Sequence, residues 1–347
     1  MKTTVLLINL GTPDSPSTSD VRSYLAQFLN DPRVVDLPWL LRKILVNLII
    51  VPFRAPKSAK IYRKLWTEEG SPIVIHGERV RQRLQERLGD DYAVELAMRY
   101  KNPSIPDVLE RVRKSNPDRI VVLPLFPQYA SASTGSALEE VMDVVRRWWV
   151  IPEIRFISQY WDHPAFVQAL VERGRQYDWR EYDHVLFSYH GLPERQVDKV
   201  YEDGPCSDRD CEHEITPENK YCYKATCYGT TRLLAEGLGI PDDKYTVCFQ
   251  SRLDKRWIEP FADKLVEEWG RKGAKKLLVF SPSFVADCLE TTIEIGDEYQ
   301  ELFVETGGET VQLVESLNDH PAWIEALEAL VREQPQSRGR QWPQRVE

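Results

Sequence analysis

One histidine, one acidic stripe and one group of cysteines are the residues here whose types and spacing could do chemistry. His190 closes the apolar run HVLFSYH and precedes Gly191. A glycine there lets the chain turn sharply and leaves an imidazole at a strand end, where it can take a proton near neutral pH or ligate a divalent metal. A histidine simply hydrogen-bonded at a strand end fits the same pattern. Glu290, Glu294 and Glu298 stand at i, i+4 and i+8 in ADCLETTIEIGDEYQEL, so a helix opening at Asp287 stacks three carboxylates on one face. Like charges at that spacing cost a helix some stability. A carboxylate ladder that draws cations or passes protons would justify the cost. A solvated face, with Asp287 as N-cap and Glu290 three residues later as a capping box, is the structural alternative. Cys206, Cys211, Cys222 and Cys227 form C-x4-C-x10-C-x4-C, four of the six cysteines within 22 residues of polar chain. Without a secretion signal such clustering favours a metal site over disulfides. Thiolates suit zinc or an iron–sulfur cluster, and x4 rather than x2 spacing tilts towards iron–sulfur. Cys248 and Cys288 read as reduced, partly buried thiols, and His163 and His320 as structural.

The elements that must position these groups are those of a two-lobed α/β protein. The 347 residues suit two domains. Apolar runs at Thr4–Leu10, Tyr92–Arg99, Arg119–Leu125 and Ile154–Gln159 read as strands. Four more follow at His184–Tyr189, Tyr245–Phe249, Lys276–Phe280 and Val311–Glu315. Helix-period segments such as Gly77–Leu88, Ala137–Trp149 and Glu259–Lys272 separate them, which indicates parallel sheets covered on both faces. The chain also repeats itself. VLLINLGTP (Val5–Pro13) answers VLFSYHGLP (Val185–Pro193), and DHPAFVQAL (Asp162–Leu170) answers DHPAWIEAL (Asp319–Leu327), each with Asp as expected N-cap. Two Rossmann-like lobes follow, each a four-stranded parallel sheet: 1–160, and 161–333 with a Cys-rich loop at 204–228. A polar tail at 334–347 is expected to fray. Ligands of such sheets sit beyond the C-terminal strand ends, so a cleft between the lobes would collect both repeats of the strand-end motif.

Other function classes recede. A net charge of −9 argues against bulk nucleic-acid binding. Neither G-x-G-x-x-G nor a P-loop occurs, so no nucleotide cofactor is expected, and G-x-S-x-G is absent. No signal peptide or uninterrupted apolar run of about 18 residues is present, which predicts a cytoplasmic protein. The segment 34–56, VVDLPWLLRKILVNLIIVPFRAP, comes nearest; it reads either as a core helix with a wet side, interrupted by Arg42 and Lys43, or as an amphipathic lip touching a membrane surface or greasy substrate.

The segments LINLGTPDSPSTSDVRSYLAQFLNDPRVVDLP, FPQYASASTG, SYHGLPER, FQSRLDKRWIEP and ADCLET, in this order, resemble the ferrochelatase family from about Thr4 to Val331. The resemblance implies an enzyme that inserts ferrous iron into a porphyrin clamped between two Rossmann-like lobes. It makes His190 the metal and proton partner, faced by Glu290, with Glu294 and Glu298 continuing the acidic path. It places Asn9, Leu10, Arg99, Tyr100, Tyr129, Gln250, Ser251, Trp257 and Phe284 along the macrocycle, Arg63 near the propionates, and 34–56 as a lip at the membrane surface. Cys288 stands where some relatives carry histidine. Ser131 replaces a remote cysteine ligand of animal relatives, and their cysteine-bearing C-terminal extension is lacking. Some bacterial relatives bind a [2Fe–2S] cluster through four internal cysteines, which Cys206, Cys211, Cys222 and Cys227 match. Leu10, where the coproporphyrin branch usually has tyrosine, favours protoporphyrin IX. Coproporphyrin III, a cobalt-binding tetrapyrrole, and a non-catalytic tetrapyrrole or iron–sulfur carrier are the alternatives.

Overall fold

A computed structural model describes residues 2–333; the tail at 334–347 lies outside the described residues. The first sheet contains β1 (Thr3–Gly11), β2 (Tyr92–Tyr100), β3 (Arg119–Pro124) and β4 (Glu153–Phe156), all parallel, in the order β2-β1-β3-β4. The second repeats it with β5 (His184–His190), β6 (Tyr245–Gln250), β7 (Lys276–Phe280) and β8 (Thr310–Leu313), in the order β6-β5-β7-β8. Val5–Ile8 and Val185–Phe187 are essentially inaccessible, as strands covered on both faces must be. In each sheet the first strand lies between the second and third. The winding direction reverses there, opening a crevice at the carboxyl ends of β1 and β5.

Helices α1 (Thr18–Leu29), α2 (Trp39–Ile44), α3 (Val51–Leu65), α4 (Pro72–Leu88), α5 (Ile105–Ser115) and α6 (Ser136–Val145) serve the first sheet. After α7 (Pro164–Gly174) come α8 (Glu194–Asp198), α9 (Tyr223–Leu238), α10 (Ala262–Arg271), α11 (Gln300–Glu305) and α12 (Pro321–Arg332). The two DHPA echoes open α7 and α12, and these helices are exchanged between lobes. The chain leaves β4 of the first sheet into α7, which packs on α9 of the second; it leaves β8 into α12, which packs on α4 of the first. Arg87 on α4 pairs with Glu325 at 3.1 Å and Glu328 at 2.7 Å on α12. Trp323 of α12 is fully buried, stacked on Tyr160 at 6.0 Å and edge-on to Phe166 at 5.9 Å. One apolar cluster therefore runs through both lobes. The expected caps are corrected by one residue: His163 and His320, not Asp162 and Asp319, occupy the N-cap positions, and His320 accepts from the Ala322 amide. The aspartate of the second echo instead pairs with Arg83.

The segment 34–56, expected either as a core helix or as a lip, presents apolar side chains to solvent. From α2 through a π-helical stretch (Leu45–Ile50) into α3, it exposes Trp39, Leu40, Leu41, Ile44, Leu48, Ile49 and Phe53. Arg42, expected to interrupt the apolar run, is buried and donates to the Leu37 carbonyl at 2.8 Å. Val46, Val51 and Ala55 are buried on the other side, so the segment has an exposed apolar face besides the one packed inside.

Candidate active site

His190 ends β5 opposite its register partner Gln250. Gly191 is required there: a Cβ would stand 2.8 Å from the Gln250 carbonyl and 3.2 Å from the Trp257 ring. Gly11 plays the same part after β1, at φ 106° and pressed on the Tyr100 carbonyl. The His190 Nδ1 lies 2.6 Å from the Gly191 carbonyl oxygen. A carbonyl only accepts, so Nδ1 carries a proton, and in the neutral ring Nε2 then keeps the lone pair. The rings of Trp257 and Phe284 flank the imidazole, each 6.3 Å away. Trp257 is held by a short bridge to Pro193, which ties the loops after β5 and β6 together.

The acidic stripe lies on a π-helix, Leu289–Tyr299, rather than the α-helix expected from the spacing. Its N-cap is Cys288, with Thr291 completing the capping box. Asp287 does not cap it. That carboxylate accepts from Asn318 Nδ2 at 2.7 Å and from the Ser316 amide at 3.2 Å, tying the helix start to the loop after β8. Gln250 joins the stripe to His190: its carboxamide donates to the Glu290 carbonyl at 2.8 Å and to Glu294 Oε2 at 3.0 Å, and accepts from Ser188 Oγ at 2.7 Å. The strand neighbour of the histidine is thus bonded directly to the backbone of Glu290.

The three glutamates differ. Glu290 is half-buried and faces the first lobe, where burial, and after it charge neighbours that include Glu290, pushes the Tyr24 and Tyr62 phenols well up. Glu294 accepts from the Ser251 amide at 2.7 Å, Ser251 Oγ at 2.5 Å, Gln250 Nε2 at 3.0 Å and the Tyr299 hydroxyl at 3.2 Å. Four donors fill a carboxylate's lone pairs. These bonds tie Glu294, expected as a metal ligand, to the end of β6. Glu298 is exposed, and partial burial, then the charges of Glu294 and Glu301, hold its carboxyl above the usual range.

In the first lobe Leu10 and Tyr129 are half-buried and Arg63 is exposed. Tyr100, expected along the ligand, is fully buried: its hydroxyl donates to Asp31 at 2.9 Å because the end of β2 turns inward beneath α1. Asn9 is also buried, its Oδ1 accepting from the Leu10 amide at 2.8 Å. Arg99 is committed to Asp31 at 2.8 Å and Glu140 at 3.2 Å. The sequence reading passes over Asp31, the buried carboxylate that organises this corner. It also passes over Tyr62, one position from Arg63 and the residue whose phenol responds to Glu290.

Three of the four clustered cysteines come together, Cys206, Cys211 and Cys222, all buried. Cys227 does not join them; it is buried beside Tyr223, and burial pushes its thiol well up. A [2Fe–2S] cluster takes four thiolates, so the set brought together here lacks one.

Two doubly wound lobes, each a four-stranded parallel sheet flanked by helices, define a chelatase-type fold. In structure the chain resembles SirB from Bacillus subtilis with Fe3+ (TM-score 0.53, 16% identity, 96% of this chain and 95% of that one). The ferrochelatase family model matches residues 2–335, and the chain belongs to the ferrochelatase family, the metal chelatases classed as lyases. It is 45% identical to ferrochelatase of Coxiella burnetii over 332 residues, 94% of this chain and 92% of the relative. It is 44% identical to that of Legionella pneumophila (96% and 100%) and 42% to that of Pseudomonas putida (93% and 96%).

Proposed function

We propose that this chain inserts Fe2+ into protoporphyrin IX to give protohaem, with His190 and Glu290 as the reacting pair. The observation that carries the reading is the bare Nε2 of His190, made so by the Nδ1 bond to Gly191, one strand step from the residue bonded to Glu290. A flat porphyrin cannot admit a metal. A slot that bends it must supply strain of order 1–5 kcal/mol from binding elsewhere on the ring. Leu10, Tyr129, Ser251, Trp257 and Phe284, none fully buried, supply that slot, and exposed Arg63 meets the propionates. Asn9, Arg99, Tyr100 and Gln250 brace it from behind. Two pyrrole protons must leave, and Nε2 is the acceptor in place. Glu290 replaces a water on the incoming ion, and Glu298 extends the acidic approach.

The lip is the proposed contact with a membrane surface. Its exposed apolar residues run directly into Arg54, Lys57 and Lys60, also exposed, on an otherwise acidic chain. Among the described residues no helix is long and apolar enough to cross a membrane.

Iron(II) and protoporphyrin incubated with the protein should shift the Soret band. His190→Ala should lower turnover at least about 100-fold, the lower range for a general base, while porphyrin binding followed by fluorescence is retained. Faster metallation of coproporphyrin III than of protoporphyrin would overturn the substrate assignment. Unchanged turnover in His190→Ala would overturn the mechanism.

A further inference from the structure

The cysteine loop carries an inference independent of iron insertion. The Sγ atoms of Cys206, Cys211 and Cys222 stand 3.6, 3.5 and 3.8 Å apart for the pairs 206–211, 206–222 and 211–222. A disulfide needs about 2.05 Å, far shorter than any of these. A tetrahedral cation with metal–sulfur bonds of about 2.3 Å sets its sulfurs about 3.8 Å apart. The triad therefore has the spacing of three vertices around one ion. A two-iron cluster divides four thiolates between two metals, which would place one of any three sulfurs away from the other two. No such division is present, and the sulfur that would complete it, Cys227, lies outside the group.

We propose that Cys206, Cys211 and Cys222 hold one structural Zn2+ ion, with an oxygen ligand beside Tyr201 at the fourth vertex. The Tyr201 hydroxyl is 3.1 Å from the Cys211 sulfur. On binding, each thiol exchanges its proton for a bond to the ion, and the three protons go to solvent. The surroundings suit thiolates. Cys222 is the N-cap of α9, at the positive end of the helix dipole. Asn219 Nδ2 points at the Cys211 sulfur from 3.8 Å while bonding the Glu214 carbonyl at 3.0 Å, an orienting partner of the kind metal sites use.

The fold also has a use for such a staple. Between α8 and α9 the chain runs from 199 to 222 with one three-residue helix as its regular structure. Connections beyond about 12–15 residues rarely hold a single shape unaided. This one meets the first lobe at the cleft wall: Tyr221 lies edge-on to Tyr129 at 5.8 Å, and the Lys220 carbonyl accepts from Gln159 at 3.0 Å. An ion on Cys222 fixes where that wall stands.

The test is elemental and spectroscopic analysis of the full chain, purified anaerobically from iron-replete cells without chelator. The expected result is one zinc per chain, no acid-labile sulfide and no visible absorption. Exchange with Co2+ should give thiolate-to-cobalt charge transfer and tetrahedral d–d bands. Cys206→Ser should lose the ion, and Cys227→Ala should retain it. Should Cys206→Ser not fold, the Co2+ spectrum of the unsubstituted protein and the metal content of Cys227→Ala still decide. Two irons and two sulfides per chain, lost in Cys227→Ala, would overturn the proposal in favour of a two-iron cluster. The absence of any stoichiometric metal would also overturn it.

Discussion

Replacing Glu294 separates an anchor from a metal ligand. Its carboxylate accepts from the Ser251 amide and hydroxyl, from Gln250 and from Tyr299. A hydrogen bond to a charged group contributes about 1.5–3 kcal/mol, but the four are not additive. Ser251 is half-buried, so water can serve its two donors, and Gln250 keeps its bond to the Glu290 carbonyl. Tyr299, at 6% exposure, has no such recourse. Glu294→Ala should therefore cost about 2–4 kcal/mol, the loss of one buried bond plus part of the rest. Glu294→Gln keeps the shape but sets an NH2 group against the Gln250 amide, for about 1–2 kcal/mol. At about 2.1 cal/mol/K of unfolding entropy per residue over 347 residues, 1 kcal/mol is roughly 1.4 °C. Calorimetry should then show Tm lower by about 3–6 °C for the alanine variant and about 1–3 °C for the glutamine variant. An anchor also leaves the KM for Fe2+ of Glu294→Gln within about twofold while Glu290→Gln loses turnover, since only a group that meets the ion acts in the transition state. An unchanged Tm in Glu294→Gln, together with a KM for iron raised tenfold or more, would refute the argument and return the residue to the metal path.

Trp323→Ala removes a fully buried indole at the helix exchange and should cost about 3–5 kcal/mol. Because α12 covers the first lobe, fluorescence and far-UV probes of denaturation should shift together. His184 is stacked on Trp269 at 4.1 Å, and burial, then Lys244 and Lys272, depress its pKa from 6.5 to about 4. The folded state therefore favours the neutral ring, and that stability is present above about pH 6.5 and lost as pH falls towards 4. Denaturant midpoints of His184→Phe should fall less steeply than those of the native chain across this window; parallel curves would contradict the assignment. Replacing Leu48 and Phe53 together by serine should weaken flotation with anionic vesicles and leave Tm within about 1 °C, since both side chains are exposed.

The two sheets are legible in the sequence because their strands are buried on both faces and read as unbroken apolar runs. All eight expected spans agree with the structure to within one residue at their starts, and the repeat VLLINLGTP/VLFSYHGLP maps onto equivalent strands, β1 and β5. His190 is legible for the same reason, as the polar end of such a run. What period and spacing cannot convey is which neighbour a side chain finds. The reciprocal exchange of α7 and α12 is a matter of which surface each apolar face meets. Arg99 and Tyr100 follow one another in β2, yet both reach the buried Asp31, 68 and 69 residues earlier in the chain, with the guanidinium over the Tyr100 ring at 4.8 Å. The C-x4-C spacing is equal on both sides of the cluster, yet Cys206 and Cys211 sit in an irregular loop while Cys222 and Cys227 straddle the first turn of α9. There the helix sets the second pair's directions, and Cys227 is carried round to Tyr223.

The π-helix at Leu289–Tyr299 carries the three acidic residues to different partners. Residues three and four apart stack on an α-helix, so 290, 294 and 298 should form one ladder. In a π-helix the hydrogen bond reaches i+5 and the turn is wider, which still keeps residues four apart close in direction, so the three side chains differ by the neighbours they meet. One faces Tyr24 and Tyr62 across the cleft, one turns back to Ser251 and Gln250, and one reaches solvent near Lys64. Their charges still meet, since that of Glu294 helps to hold the Glu298 carboxyl above its usual range. Such helices are rare and concentrate at functional sites. Among the described residues there are two others, Leu45–Ile50 in the proposed lip and Ser131–Gly135 behind Tyr129, beside residues proposed to meet the ligand. The regular sheets hold the lobes fixed. The irregular turns lie beside the residues proposed to bend the ring and pass the ion.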